Sequence, residues 1–137
     1  MSSGTVPFTV WAVAAAQGSY YLATGLWPLV DRRSFEAVTG PKTDFWLVET
    51  LGLLIGSVGI TLVVSSTRTT PSPEVKALGM MSAVALGGAG AVFALQERIS
   101  KIYLADAALE ALLIAAWTVA RPTRLRNAQQ RDAQDSR

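Results

Sequence analysis

Apolar and polar positions alternate along this chain in long blocks rather than residue by residue. Nothing from Met1 to Val30 carries a side-chain charge, and similarly long apolar stretches follow at Phe45 to Ser66, Val75 to Leu95 and Ile102 to Ala120. Each is near the ~20 apolar residues that a helix needs to cross roughly 30 Å of hydrocarbon. The blocks therefore predict four spans, at about 7–29, 45–66, 75–95 and 102–120, in one all-α domain covering 1–120. Unpaired backbone groups are not tolerated in lipid, so each span is expected to be a helix. Short connections make successive helices antiparallel, giving an up-down-up-down four-helix transmembrane bundle with both termini on one side.

The connections carry local start and stop signals. Thr5 followed by Pro7 can open the first span. A cleaved signal peptide is the rival reading of that stretch, but it lacks a basic leader and its apolar run continues to Trp27. The segment DRRSFEAVTGPKTD, from Asp31 to Asp44, is too long for a tight turn and is expected in the membrane interface, with a helical turn near Ser34 to Val38. Thr43 or Asp44 can cap the second span. Ser72-Pro73-Glu74 combines a hydroxyl cap, a proline for the first turn and a carboxylate at the positive dipole end. Ser100 is the expected cap of the fourth span.

Composition narrows the chemistry. Charged residues make up 16% of the chain, below the roughly one quarter usual for soluble domains. Cysteine and histidine are absent, which removes disulfides, thiol chemistry, ordinary zinc sites and histidine-ligated haem. No cofactor and no metal centre is expected, and no Walker loop or nucleophile elbow is present. Seven basic residues (Arg68, Lys76 and the five arginines of the basic polar tail, 121–137) flank one side of the proposed bundle, and Arg32, Arg33, Lys42, Arg98 and Lys101 make five on the other. That bias places both termini in the cytoplasm. The tail has no aromatic platform, so it reads as a lipid-facing flank and not as a nucleic-acid surface.

Small residues mark the faces where helices meet. Gly79, Ala83, Gly87 and Ala91 recur every fourth position in the third span, and Gly52 and Gly56 do so in the second. Such spacing permits close backbone approach between helices in lipid. It does not distinguish a partner helix of this chain from a second copy.

The most informative polar residues are acids within apolar spans. Asp106 and Glu110 are four apart and project from one face of a helix. Glu110 lies roughly 12 Å below Ile102 at about 1.5 Å per residue. Glu49 shares a helix face with Gly52 and Gly56 and is expected to point inward. On the first span, Gln17 and Tyr21 offer hydrogen bonds. Together Glu49, Asp106, Glu110, Tyr21 and Gln17 outline an outward-facing acidic pocket suited to a proton, a cation or a basic ligand. Glu49 and Asp106 can equally serve as ordinary first-turn carboxylates. Glu110 can also be neutralised by Arg32, Arg33, Arg98 or Lys101 reaching in from the rim, as a purely structural pair.

Three stretches, YYLATGLWPLVDRRSFEAVTGPKTDFWLVETLG, the small-residue third span and RISKIYLADAALEALLIAAW, together resemble a group of small bacterial membrane proteins with four predicted helices. The resemblance implies a bacterial cytoplasmic membrane location and brings no activity. In overall plan the chain is also similar to small multidrug-resistance transporters, whose key glutamate sits in the first helix, where this chain has only Gln17. Sterol-isomerase-like four-helix proteins resemble it in placing acids in membrane helices, but no histidine or matching aromatic motif supports that link. The expected function is therefore a non-enzymatic accessory or small-ligand-binding bundle, acting with the bilayer and with itself as a homodimer or within a larger membrane complex. The alternatives are a small cation- or proton-coupled transporter working as a dimer, and a lipid-modifying enzyme using paired carboxylates.

Overall fold

A computed structural model describes residues 9–68 and 71–121. The helix start at Thr5 and Pro7 and the basic tail beyond Arg121 lie outside the described residues. The fold is all-α, with five helices: α1 (Val10–Val30), α2 (Arg32–Thr39), α3 (Phe45–Ser66), α4 (Pro73–Leu95) and α5 (Ile102–Val119). The expectation of four helices is thus corrected to five, because the connection after the first span folds as a helix of its own.

Local chemistry explains that extra helix. Asp31 ends α1, its N–H donating to Trp27 O at 2.9 Å, and its carboxylate then accepts from Ser34 N at 3.1 Å to cap α2. Gly40 closes α2 with φ +85°, a conformation that glycine adopts freely, and Pro41 follows. Phe35 meets Trp27 on one side and Phe45 on the other, edge to face at centroid separations of 5.6 and 6.4 Å. These contacts lay α2 across the end of the helices. At the start of α4, Ser72 accepts from Val75 N at 3.4 Å, with Pro73 and Glu74 in the first turn. Asp44 precedes α3 without a side-chain cap bond, and Ser100 Oγ accepts from Ile102 N at 3.4 Å.

α3, α4 and α5 are each long and apolar enough to cross a membrane. α1 has the length and no charge, but Gln17, Ser19, Tyr20 and Tyr21 interrupt its apolar run. Large apolar side chains face outward: Met81 is 71% exposed, Leu112 66% and Trp46 63%, while the buried faces of α3 and α4 are built largely from glycine and alanine. This reverses the distribution of a water-soluble helical protein and suits hydrocarbon as the surrounding solvent.

The helices form two antiparallel pairs, α1 with α3 and α4 with α5, and contacts between the pairs are sparse. Along the first pair, Gly18 faces Gly59 and Gly25 faces Gly52; a Cβ at Gly25 would stand 2.6 Å from Gly52 O. The backbones touch there, so no side chain is accommodated. At one end of the bundle Val10, Val13, Ala14, Tyr21, Leu62 and Trp117 form the packed core. Val10 N donates to Arg121 O at 3.3 Å, which joins the start of α1 to the end of α5. The other end, roofed by α2, is open.

Candidate functional site

A buried polar layer separates the packed end from the open one. Gln17, completely buried on α1, uses both ends of its amide. Its Nε2 donates to Tyr21 Oη at 3.0 Å and to the Gly79 carbonyl at 2.8 Å, and its Oε1 accepts from Trp117 Nε1 at 2.6 Å. Three helices are tied by that one side chain. The clamp also explains Gly79, since a Cβ there would lie 2.8 Å from Gln17 Oε1 and 2.9 Å from Trp117 Nε1.

Tyr21 passes the network on by donating to Glu110 Oε2 at 2.9 Å. Glu110 is 1% exposed, and its stem crosses α4 where Gly87 provides room; a Cβ at Gly87 would lie 2.9 Å from Glu110 Cβ. One turn earlier on α5, the Asp106 carboxylate accepts from Tyr20 Oη. Adjacent tyrosines of α1 therefore hold the two acids of α5. A helix advances about 100° per residue, so Tyr20 and Tyr21 diverge, and the acids, one turn apart, meet them at different heights.

Beyond these acids opens a cavity of about 580 Å³ between the two helix pairs. Its walls are mainly apolar: Val48, Leu51 and Ile55 from α3, Leu86 and Phe93 from α4, Ile102 and Leu109 from α5, with Phe35 and Val38 of α2 above. Tyr20, Tyr21, Tyr103, Thr24, Thr39, Asp106 and Glu110 supply its polar atoms. Pro28 lacks an N–H and so cannot bond the carbonyl of Thr24 one turn back, and both residues line the cavity. Near Tyr103, Lys42 places its Nζ 5.8 Å from the ring centroid and donates to the carbonyls of Thr39 and Gly40. Partial burial lowers the pKa of that ammonium group.

The structure brings Gln17, Tyr21, Asp106 and Glu110 together. Glu49 does not join them: it is exposed on α3 and does not line the cavity. At about 100° per residue Glu49 falls at the margin of the face that Phe45 and Gly52 bury, on the side where Leu53 and Ile60 are also exposed. The expected rim cations are also placed elsewhere. Arg32 pairs with Glu36 at 3.1 Å and lies 4.0 Å over the Phe45 ring, Arg98 lies 5.9 Å over Phe93, and Arg33 and Lys101 are exposed. Among the described residues the Arg32–Glu36 contact is the one salt bridge, so Glu110 has no basic partner there. On α4 the buried row runs Gly79, Ala83, Gly87, Gly90 and Ala94; Ala91 is only half-buried, because the row steps back by one residue after Gly87. On α3 it includes Gly52 and Gly56.

Sequence reasoning missed Tyr20 and Trp27. The doubled tyrosine was the available signal for the first, since two adjacent phenols can answer two acids one turn apart. Among the described residues, no group of three or more carboxylates is arranged to hold a metal ion. No family model, curated protein or solved structure matches the chain, and the site is read from its own geometry.

Proposed function

We propose that this is an integral membrane protein that binds a small, mostly apolar molecule carrying one basic group. The carrying observation is an apolar cavity of about 580 Å³ whose deep wall holds two carboxyl groups, Asp106 and Glu110, with no cationic side chain of the described residues paired to either. A carboxylate in an apolar setting needs a counter-charge or a proton. An amine seated in the cavity supplies the first, while the walls take up the rest of the molecule. Among the described residues, no serine, cysteine or histidine lines the cavity beside the acids, which favours binding over catalysis.

In this proposal α1 is a fourth span, since it is uncharged and lies backbone to backbone on α3. The basic residues of the sequence then favour both termini in the cytoplasm of a bacterial cell, with the cavity facing outward. Association with a second copy or with a larger membrane complex belongs to the same proposal and is tested by copurification from native membranes.

The direct test is calorimetry in neutral-lipid nanodiscs with an n-alkylamine and the alcohol of equal chain length. The amine binds and the alcohol binds at least tenfold more weakly; Glu110→Gln removes most of that difference while helicity and melting are retained. Equal affinity for amine and alcohol would overturn the proposal.

A second reading, a small cation- or proton-coupled transporter, draws on the buried chain from Glu110 through Tyr21 to Gln17, which leads away from the cavity towards the opposite end of α1. Flux into proteoliposomes that is lost in Glu110→Gln distinguishes it from binding alone.

A further inference from the structure

The two flanks of the cavity are closed differently. On the α1–α5 flank, Tyr20 and Tyr21 donate to Asp106 and Glu110 and tie the helices across the gap. On the α3–α4 flank, no side-chain hydrogen bond or salt bridge joins the two helices among the described residues. Contacts are sparse on both flanks, and the chain connects α3 and α4 only at the end remote from the cavity. The residues that line the cavity from these two helices, Val48, Leu51, Gly52 and Ile55 on α3 with Leu86, Ala89, Gly90 and Phe93 on α4, are all apolar. Leu51 and Phe93 line the cavity yet are 50% and 42% exposed, and Ala89 is exposed as well. A side chain that borders an interior space and the exterior at once stands at a mouth. Leu51 and Ala89 each lie six residues inside their helix ends, roughly 9 Å along the axis at about 1.5 Å per residue. The mouth therefore opens at hydrocarbon depth.

We propose that the molecule bound here is a lipophilic amine dissolved in the bilayer, and that it passes sideways between α3 and α4, amine first, to reach Glu110 and Asp106. This rests on the binding reading above and specifies its ligand class and route. A membrane-dissolved amphiphile already lies with its chain in hydrocarbon, so a seam of apolar residues admits it without exposing either surface to water. A water-borne amine has no comparable reason to use this flank and would arrive by the end roofed by α2.

The test follows association of dodecylamine and of butylamine with the full chain in phosphatidylcholine nanodiscs, by stopped-flow tryptophan emission, since Trp27 lines the cavity. Ala89→Leu and Ala89→Phe narrow the seam in two steps at an exposed position, where added bulk meets lipid and not a packed core. Dodecylamine association slows in the order of side-chain size, and in Ala89→Phe it slows at least tenfold more than butylamine association does. Unaltered dodecylamine rates in both variants overturn the lateral route. Binding of butylamine without dodecylamine overturns it too, yet leaves the carboxylate site standing. Failure of both amines to bind the unsubstituted protein removes the site itself and this inference with it.

Discussion

Tyr21 accepts a hydrogen bond from Gln17 Nε2 at 3.0 Å and donates its own to Glu110 at 2.9 Å. The phenol is thus the single link between a structural clamp and the acid of the cavity. Gln17→Leu breaks the clamp and leaves Trp117 Nε1 and the Gly79 carbonyl without this partner. Hydrogen bonds between membrane helices are worth about 0.6–1.7 kcal/mol each, so a loss of roughly 2–3 kcal/mol is expected for the set. Unfolding in detergent micelles measures it. Tyr21→Phe costs less, about 1–2 kcal/mol, because Gln17 keeps its bonds to α4 and α5.

Glycines with similar sequence surroundings are expected to behave in opposite ways. A Cβ at Gly52 would run into the Gly25 carbonyl, while one at Gly88 meets nothing within 4 Å. Gly52→Ala forces α1 and α3 apart and is expected to destabilise by about 1–3 kcal/mol. Gly88→Ala is expected to stabilise by about 0.5–1 kcal/mol, through helix propensity alone. Melting of the two variants side by side checks both signs.

Glu97, in the turn between α4 and α5, adopts φ +57°, which favours glycine over residues bearing a Cβ. Its side chain is exposed. Glu97→Gly is expected to raise stability by about 1 kcal/mol, read as an upward shift in melting temperature.

The α2 helix is expected to respond to acid. Backbone and hydroxyl groups of Ser34 hold the Asp31 carboxyl below its ordinary pKa, and Arg32 together with the Lys42 backbone does the same for Glu36. Because both pKa values are lower in the folded helix, their contribution is complete above the usual carboxylate range and is lost as pH falls through the depressed values. Amide exchange across Arg32–Thr39 should therefore accelerate on acidification below that range, and more than exchange across α3. Equal acceleration everywhere would show that these carboxyls do not govern α2 specifically.

What the chain states openly is what depends on one segment at a time. Apolar runs of membrane length declare helices, and Ser72-Pro73-Glu74 declares where α4 begins, because caps act over three or four residues. The Asp106–Glu110 pair is equally visible, being one turn of one helix. What depends on two segments is hidden. The inward reading of Glu49 failed because the buried strip of α3 is narrow: Phe45 and Gly52 lie within it, while Glu49 sits at its margin beside exposed Leu53. The partnership of Tyr20 with Asp106 requires the rotation of α1 against α5, which no spacing within either helix encodes. The helical turn expected near Ser34 to Val38 is in fact an eight-residue helix, RRSFEAVT, whose full length depends on aromatic contacts to Trp27 and Phe45.

The sparse contact between the α1–α3 and α4–α5 pairs has a consequence for biogenesis. Each pair satisfies its closest backbone approaches internally, so the nascent chain can enter the bilayer as two self-sufficient hairpins. Their later docking then rests largely on the Gln17 clamp and the two tyrosine–acid bonds. Two polypeptides divided in the linker after Thr67, made together in one cell, should accordingly find each other and restore the whole.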